Sequence, residues 1–255
     1  MTHIPDLKSF LDEKADWYNH PEFIGTDPIQ IPRRFTQKED IEIAGFLAAT
    51  IAWGNRKSII GNASKMMDLI GNAPYDFVMS HTARDLQRLE GFVHRTFNAT
   101  DFSTFITALQ HIYQTHRGPE AVFAQHATAD GLQHAISQFK RLFFEIEHQH
   151  RTQKHLSDPL NQSAAKRINM FLRWMVRRDH KGVDFGIWQS VSPALLSCPL
   201  DVHSGNVARK LGLLSRRQND ARAVAELDAQ LRLLDPDDPA KYDFALFGLG
   251  AFEKF

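Results

Sequence analysis

The sequence is poor in cysteine, and this excludes several classes of protein. Its 255 residues include a single cysteine, Cys198. An intramolecular disulfide requires a second cysteine, and a four-cysteine iron–sulfur cluster or zinc site requires more. The chain therefore folds without disulfide bonds, and we expect it to have no cofactor.

Net charge and long hydrophobic runs are also absent. Thirty Lys and Arg balance thirty Asp and Glu, so the formal net charge is zero, and any affinity for polyanions has to come from local clusters. No apolar run approaches the roughly 20 residues that span a bilayer. The segment 1–6 has no basic-then-apolar signal pattern. We therefore expect a cytoplasmic protein with no membrane partner.

The apolar residues that are present recur mostly at helical spacing. In the clearest stretch, from about 130 to 149, apolar residues return every three or four positions. No segment alternates apolar and polar residues for long enough to predict a strand. The sequence therefore predicts an all-α fold, with further helices over about 36–51, 56–70, 101–112, 164–178, 201–211, 220–234 and 239–247.

One polar stretch interrupts these helices. Residues 151–161 are mostly polar and include Pro159. We interpret this stretch as a joint within a single domain, 1–255, between helical lobes of about 1–155 and 156–255. A cleft between two lobes is a common place for a ligand site.

A lysine and an aspartate each stand at the predicted start of a helix. The positive end of a helix dipole is a setting in which a lysine can serve as an amine nucleophile, and we expect this of Lys166. A carboxylate is also favoured at a helix start, and Asp201 is the candidate for it. Such a pair can displace a leaving group at a sugar carbon. Taken singly, Lys166 is interpreted as a surface lysine and Asp201 as a helix cap contributing about 1 kcal/mol, although a capping carboxylate can also face a cleft.

Basic residues cluster directly after this lysine. Only Asp179 opposes them in the segment 166–181. A charge run of this kind is usually a solvated helix face, but here it adjoins the candidate nucleophile. The cluster consists of Lys166, Arg167, Arg173, Arg177, Arg178 and Lys181.

Three segments resemble the helix-hairpin-helix DNA glycosylase superfamily, which includes endonuclease III and the archaeal 8-oxoguanine glycosylases. Residues 160–169, Leu-Asn-Gln-Ser-Ala-Ala-Lys-Arg-Ile-Asn, match the leucine, tight turn and catalytic lysine of its hairpin. Residues 199–213, beginning Pro-Leu-Asp-Val-His, resemble the segment with its catalytic aspartate, and 242–250 resemble its closing helix. Over the whole chain the likeness is to an uncharacterised bacterial family, through 46–54, 166–177 and 184–188.

The resemblance implies a function and a set of site residues. It implies a DNA glycosylase with abasic-site lyase activity that acts as a monomer on damaged DNA. Lys166 would be the nucleophile and Asp201 the catalytic carboxylate. The residues expected to contact DNA are Gln162, Ser163, Ala164, Arg167, Arg173 and Arg177, and the aromatic residues considered for the base pocket are Trp53, Trp174 and Trp188, with Phe185.

The sequence departs from the superfamily pattern in three places. Gln162, Ser163 and Ala164 stand where the superfamily usually has Gly-X-Gly, which lets backbone amides approach a phosphate. The segment 179–197 lengthens the connection between Lys166 and Asp201, as the archaeal branch tolerates. There is no C-terminal cysteine cluster.

Two other functions fit parts of the sequence. A non-catalytic helical module could bind nucleic acid or a protein through the same scaffold, with Asp201 acting only as a cap. A metal-dependent hydrolase is suggested by the nearby His148, His150 and His155, but these lack the His-Glu-X-X-His spacing. We therefore expect no metal site.

Overall fold

Helices make up most of the structure, which confirms the all-α prediction. The computed structural model describes residues 6–255; residues 1–5, which enter the expectation of no signal peptide, lie outside this range. Within it the chain forms one short hairpin and twelve α-helices. The helices are α1 Leu7–Tyr18, α2 Lys38–Thr50, α3 Arg56–Leu69, α4 Pro74–Ser80, α5 Ala83–Gln87, α6 Ala99–His116, α7 Pro119–His126, α8 Gln133–Phe143, α9 Lys166–Val176, α10 Val202–Lys210, α11 Ala221–Leu234 and α12 Tyr242–Ala251.

The hairpin, α1 and the bounds of several helices, including α6, differ from the predictions. Strands β1 (Val93–His94) and β2 (Phe97–Asn98) pair antiparallel, and two-residue strands are too short to give an alternating pattern. The predicted helix 130–149 is α8 alone. The last predicted helix starts later and ends later, because 239–241 form a 3-10 turn before α12.

Two groups of buried side chains form the core. The larger joins helices between α2 and α9, continues to Leu196, and also includes Ala240 and Phe244 near the C-terminus. The smaller joins α1 to α10, α11 and α12. The N-terminal helix therefore packs with the C-terminal ones.

The crossing of α2 and α9 explains why α9 belongs to the larger core. A Cβ atom on Gly45 of α2 would lie 3.0 Å from the Met175 side chain and 3.5 Å from the Phe171 ring. The Phe171 and Phe46 rings meet edge to face at 5.5 Å. A glycine here lets the two helix backbones approach closely.

None of the helices described over residues 6–255 combines the length and the apolar character needed to cross a membrane.

Candidate functional site

The structure brings Lys166 and Asp201 together. Lys166 is the first residue of α9, and Asp201 directly precedes α10 as its N-cap. The Lys166 Nζ and Asp201 Oδ2 atoms are 4.0 Å apart, with side-chain exposures of 31% and 22%. Both groups are thus accessible to a ligand and close enough to exchange a proton after a small side-chain movement.

The two oxygens of the Asp201 carboxylate have different roles. Oδ1 accepts a hydrogen bond from the Ser204 backbone N–H at 3.0 Å, and the Ser204 hydroxyl oxygen accepts one from the Asp201 N–H at 2.9 Å. The Asn219 side chain also donates to the Asp201 carbonyl at 2.8 Å. Oδ2 is the oxygen that faces Lys166. The cap therefore fixes the carboxylate, and the free oxygen faces the amine.

The turn before Lys166 keeps a left-handed backbone without glycine. Gln162 has φ +66° and Ala165 has φ +47°. The turn is held by hydrogen bonds from the Ala221 N–H to the Gln162 carbonyl, at 3.1 Å, and from the Ala165 N–H to the Ser163 hydroxyl, at 3.1 Å. No side chain of residues 6–255 caps α9. The start of α9 therefore has no side-chain cap for its backbone N–H groups.

We expect Gln162→Gly to raise the free energy of unfolding by about 0.5–1 kcal/mol. A side chain in the left-handed region costs roughly 1–2 kcal/mol, of which glycine's greater freedom in the unfolded chain offsets a part. Gln162→Ala removes the same exposed side chain but keeps the backbone strain, so it should change the free energy of unfolding by only a few tenths of a kcal/mol. Urea unfolding of the three proteins tests this, and equal stability of both variants would contradict the strain.

A cavity of about 680 Å³ surrounds the lysine and the aspartate. This volume is within the range of about 300–1,000 Å³ that is usual for small-molecule sites. Its walls include residues of α3, α9, α10 and α12. The lining residues include Phe23, Asp27, Trp53, Arg56, Lys166, Arg173, Asp201, His203, Asp243, Phe244 and Phe247.

Two further carboxyl groups line this cavity and are almost fully buried. Burial raises the pKa of Asp27, whose Oδ1 accepts a hydrogen bond from the Ile29 N–H at 3.0 Å. Burial also raises the pKa of Asp243 to about 6, against the opposing effect of the Arg173 guanidinium. These groups add carboxyl oxygens to a wall that also carries aromatic rings.

The positions of Arg173 and Arg177 correct the prediction that they contact DNA phosphates. Both are 4% exposed. Arg173 pairs with Asp243 and with Asp184, the latter at 3.3 Å, and its guanidinium lies 4.2 Å from the Phe244 ring centroid. Arg177 pairs with Asp184 at 3.2 Å and with Asp238 at 3.0 Å. Their charges are neutralised by carboxylates inside the protein. The two arginines therefore hold α9 to the neighbouring segments that carry Asp184, Asp238 and Asp243.

Arg167 is also turned toward the protein. It donates to the Thr50 carbonyl, and its guanidinium lies 4.7 Å from the Trp53 ring centroid. Burial lowers its pKa to about 10. We assign Arg167 to the support of Trp53 rather than to a phosphate.

Of the three predicted pocket tryptophans, the structure places one in the cavity. Trp53 lines it. Trp174 and Trp188 are fully buried in the larger core, and the Trp188 indole N–H donates to Glu42 at 2.6 Å. Their assignment to a base pocket is therefore corrected, and Phe185 packs against the core beneath Arg33.

The three histidines considered as metal ligands do not meet. His155 is buried with its Nε2 3.3 Å from Asp101, while His148 contacts the Gln153 side chain at 2.8 Å. His150 is exposed. A different set of ligands does converge, namely His111, His116 and Glu145.

Sequence reasoning missed most of the cavity wall. Phe23 and Asp27 lie in short 3-10 turns before α2, a region without a periodic pattern. Asp243 carried a usable signal, since it is an acidic residue in the otherwise apolar stretch 242–251. An isolated acid in such a stretch has to find a buried partner or face a cavity.

Comparison with known proteins gives one match. The model of a family described as "Protein of unknown function (DUF2400)" matches residues 27–252. This range contains Lys166, Asp201 and every lining residue of the cavity except Phe23. No curated protein and no solved structure matches the chain.

Proposed function

The chain belongs to the DUF2400 family, and we propose that it is a cytoplasmic DNA base-excision glycosylase with abasic-site lyase activity. One observation carries the proposal. A lysine amine at the start of a helix lies 4.0 Å from a capped aspartate, and both open into an aromatic cavity large enough for a ligand. The likeness of 160–169 and 199–213 to the helix-hairpin-helix glycosylases supports it independently.

The cavity has the composition that an extruded base requires. A base inside a duplex is unreachable, so an enzyme acting on it must flip it into a pocket that stacks its faces and bonds its edge. Phe23, Trp53 and Phe247 supply aromatic surfaces, and Asp27 and Asp243 supply polar atoms. We propose that the flipped base enters this cavity.

The chemistry follows from the lysine and the aspartate. Asp201 Oδ2 takes a proton from the Lys166 ammonium, and the free amine attacks the sugar C1′. The Nζ–C1′ bond forms as the bond from C1′ to the base breaks, and the base leaves with that electron pair. The base takes the proton that the attacking nitrogen sheds. The C1′–O4′ bond then breaks and O4′ takes the proton held by Asp201, which opens the sugar ring, restores the carboxylate and leaves a Schiff base between Nζ and C1′. The Schiff base permits loss of a C2′ proton and of the 3′ phosphate, which cleaves the strand.

Because Arg173 and Arg177 are buried, other groups have to contact the DNA backbone. The uncapped N-terminus of α9 presents backbone N–H groups next to Lys166, and such a terminus favours an anion. We propose that a phosphate binds there, with the turn Gln162–Ala164 beside it. Contacts of this kind position a strand without reading its sequence, and binding should weaken as salt increases.

Covalent trapping tests this function directly. The protein is incubated with labelled duplexes that carry an abasic site, uracil, an oxidised purine or an oxidised pyrimidine, in the presence of sodium borohydride. We expect reduction of the Schiff base to give a stable protein–DNA adduct with the abasic duplex and with at least one damaged base. Binding without an adduct on every duplex would contradict the lyase activity and favour the non-catalytic module.

We expect Asp201→Asn to slow base release by about 10²–10⁴-fold, the range for loss of a general base, while DNA affinity changes little. Asparagine caps a helix as well as aspartate does, so the bond from the Ser204 N–H should persist and the fold with it. Asp6→Asn, which alters an exposed cap of α1, is the matched control and should keep the wild-type rate. Single-turnover kinetics measure the effect, and an unchanged rate for Asp201→Asn would limit Asp201 to capping.

A further inference from the structure

Three possible metal ligands converge away from the cavity. His111 and His116 lie on the last turns of α6, and Glu145 lies two residues beyond the end of α8. One ligand atom from each residue lies within 4.8 Å of the other two. The three come from segments about 30 residues apart, so their convergence is a product of the fold.

Two ring nitrogens of this group are buried without a hydrogen bond. They are the Nε2 atoms of His111 and His116, neither of which forms a hydrogen bond with any of residues 6–255. Their rings meet edge to face, with centroids 5.5 Å apart. An unsatisfied buried polar atom destabilises the folded state. A bound cation would satisfy both nitrogens at once.

The outer contacts orient these side chains as metal ligands are oriented. The His111 Nδ1 atom contacts the Thr115 hydroxyl at 3.3 Å, which leaves Nε2 for a metal. Arg141 donates to Glu145 Oε1 at 3.0 Å, while Oε2 lies 3.4 Å from His111 Nε2. A second partner of this kind for His111 and for Glu145 fixes their orientation and is the usual arrangement around bound metals.

We propose that His111, His116 and Glu145 bind a divalent transition-metal ion of the zinc class. Two imidazoles and one carboxylate are a zinc ligand set, with the fourth position open to water. None of the three residues lines the cavity of Lys166 and Asp201, so this site does not depend on the proposed glycosylase activity. The ion would tie the end of α6 to the end of α8 and stabilise the folded state.

Zinc titration of the intact chain, produced without a histidine tag and stripped with a chelator, tests the site. We expect calorimetry to show one site with a dissociation constant of about 1 µM or below. At 100 times that concentration, zinc should raise Tm by about 5–10 °C. Cobalt should give visible absorption bands that report its coordination.

The variants identify the ligands. The double variant H111Q/H116Q should lose the binding, the Tm shift and the cobalt bands, and Glu145→Gln, a change at an exposed position, should weaken binding at least about 10-fold. His180→Gln, which changes an exposed histidine elsewhere, should bind as wild type does. The absence of saturable binding to the wild-type chain, or equal binding by Glu145→Gln, overturns the proposal.

Discussion

Replacing Lys166 by glutamine is expected to abolish borohydride trapping of the protein on abasic DNA. The amide of glutamine is not a nucleophile and cannot form a Schiff base, so no reducible adduct remains. The expected loss is complete rather than graded. Denaturing electrophoresis of the labelled duplex detects the adduct, and strand cleavage should disappear with it.

The structure predicts that this variant folds normally. The ion pair of Lys166 and Asp201 is partly exposed and 4.0 Å long, and such pairs contribute about 0–1 kcal/mol. Asp201 keeps its bond to the Ser204 N–H. Loss of trapping with an unchanged Tm would therefore report chemistry and not unfolding.

A matched lysine sets the background for this experiment. Lys57 is exposed on α3, next in sequence to the cavity residue Arg56. Lys57→Gln should be trapped as efficiently as the wild-type chain. Persistent trapping of Lys166→Gln, at the wild-type level, would assign the nucleophile to another amine and remove Lys166 from the proposed mechanism.

Features that depend on local sequence were predictable. Most helices could be located because apolar periodicity and capping residues act within a few positions of each other. Asp201 shows this, since its side chain caps α10 as its position suggested. The tight turn at Gln162, in contrast, was expected from the resemblance. The contact between Lys166 and Asp201 came from that resemblance alone, since no local pattern relates two helix starts so far apart.

Features that depend on distant partners could not be predicted. Arg173 and Arg177 belonged to a basic run and were therefore expected at the surface. Their carboxylate partners include Asp184, which lies beyond the end of α9, and Asp243, which lies on α12. One sequence does not tell which acids meet which bases. The prediction that Trp174 lines the base pocket is wrong for a related reason. A tryptophan on the apolar face of an amphipathic helix packs inward whether or not a cavity is near.

We expect Arg173→Met to lower the free energy of unfolding by about 3–5 kcal/mol, the largest stability effect predicted for this chain. Methionine can fill much of the volume beside Phe244, but Asp184 and Asp243 then lose a buried counter-ion. Removing one partner of a buried ion pair leaves an uncompensated charge, and this is what makes it costly. Urea unfolding measures the loss. Arg88→Met, which breaks an exposed pair with Asp85, should cost no more than about 1 kcal/mol.

The pH dependence of that loss separates charge from packing. Burial raises the pKa of Asp243 to about 6, above its value in the unfolded chain, and burial also raises the pKa of Asp184. A carboxyl group whose pKa is higher in the folded state binds protons more strongly there than in the unfolded chain. Its burial therefore costs less free energy at low pH. It destabilises the folded protein as the pH rises through that pKa. Arg173 opposes this rise in the wild-type chain, and without it both pKa values move higher. The deficit of Arg173→Met relative to wild type should therefore be smaller at pH 5 than at pH 8. An equal deficit at both pH values would mean that the arginine acts through packing against Phe244 and not through its charge.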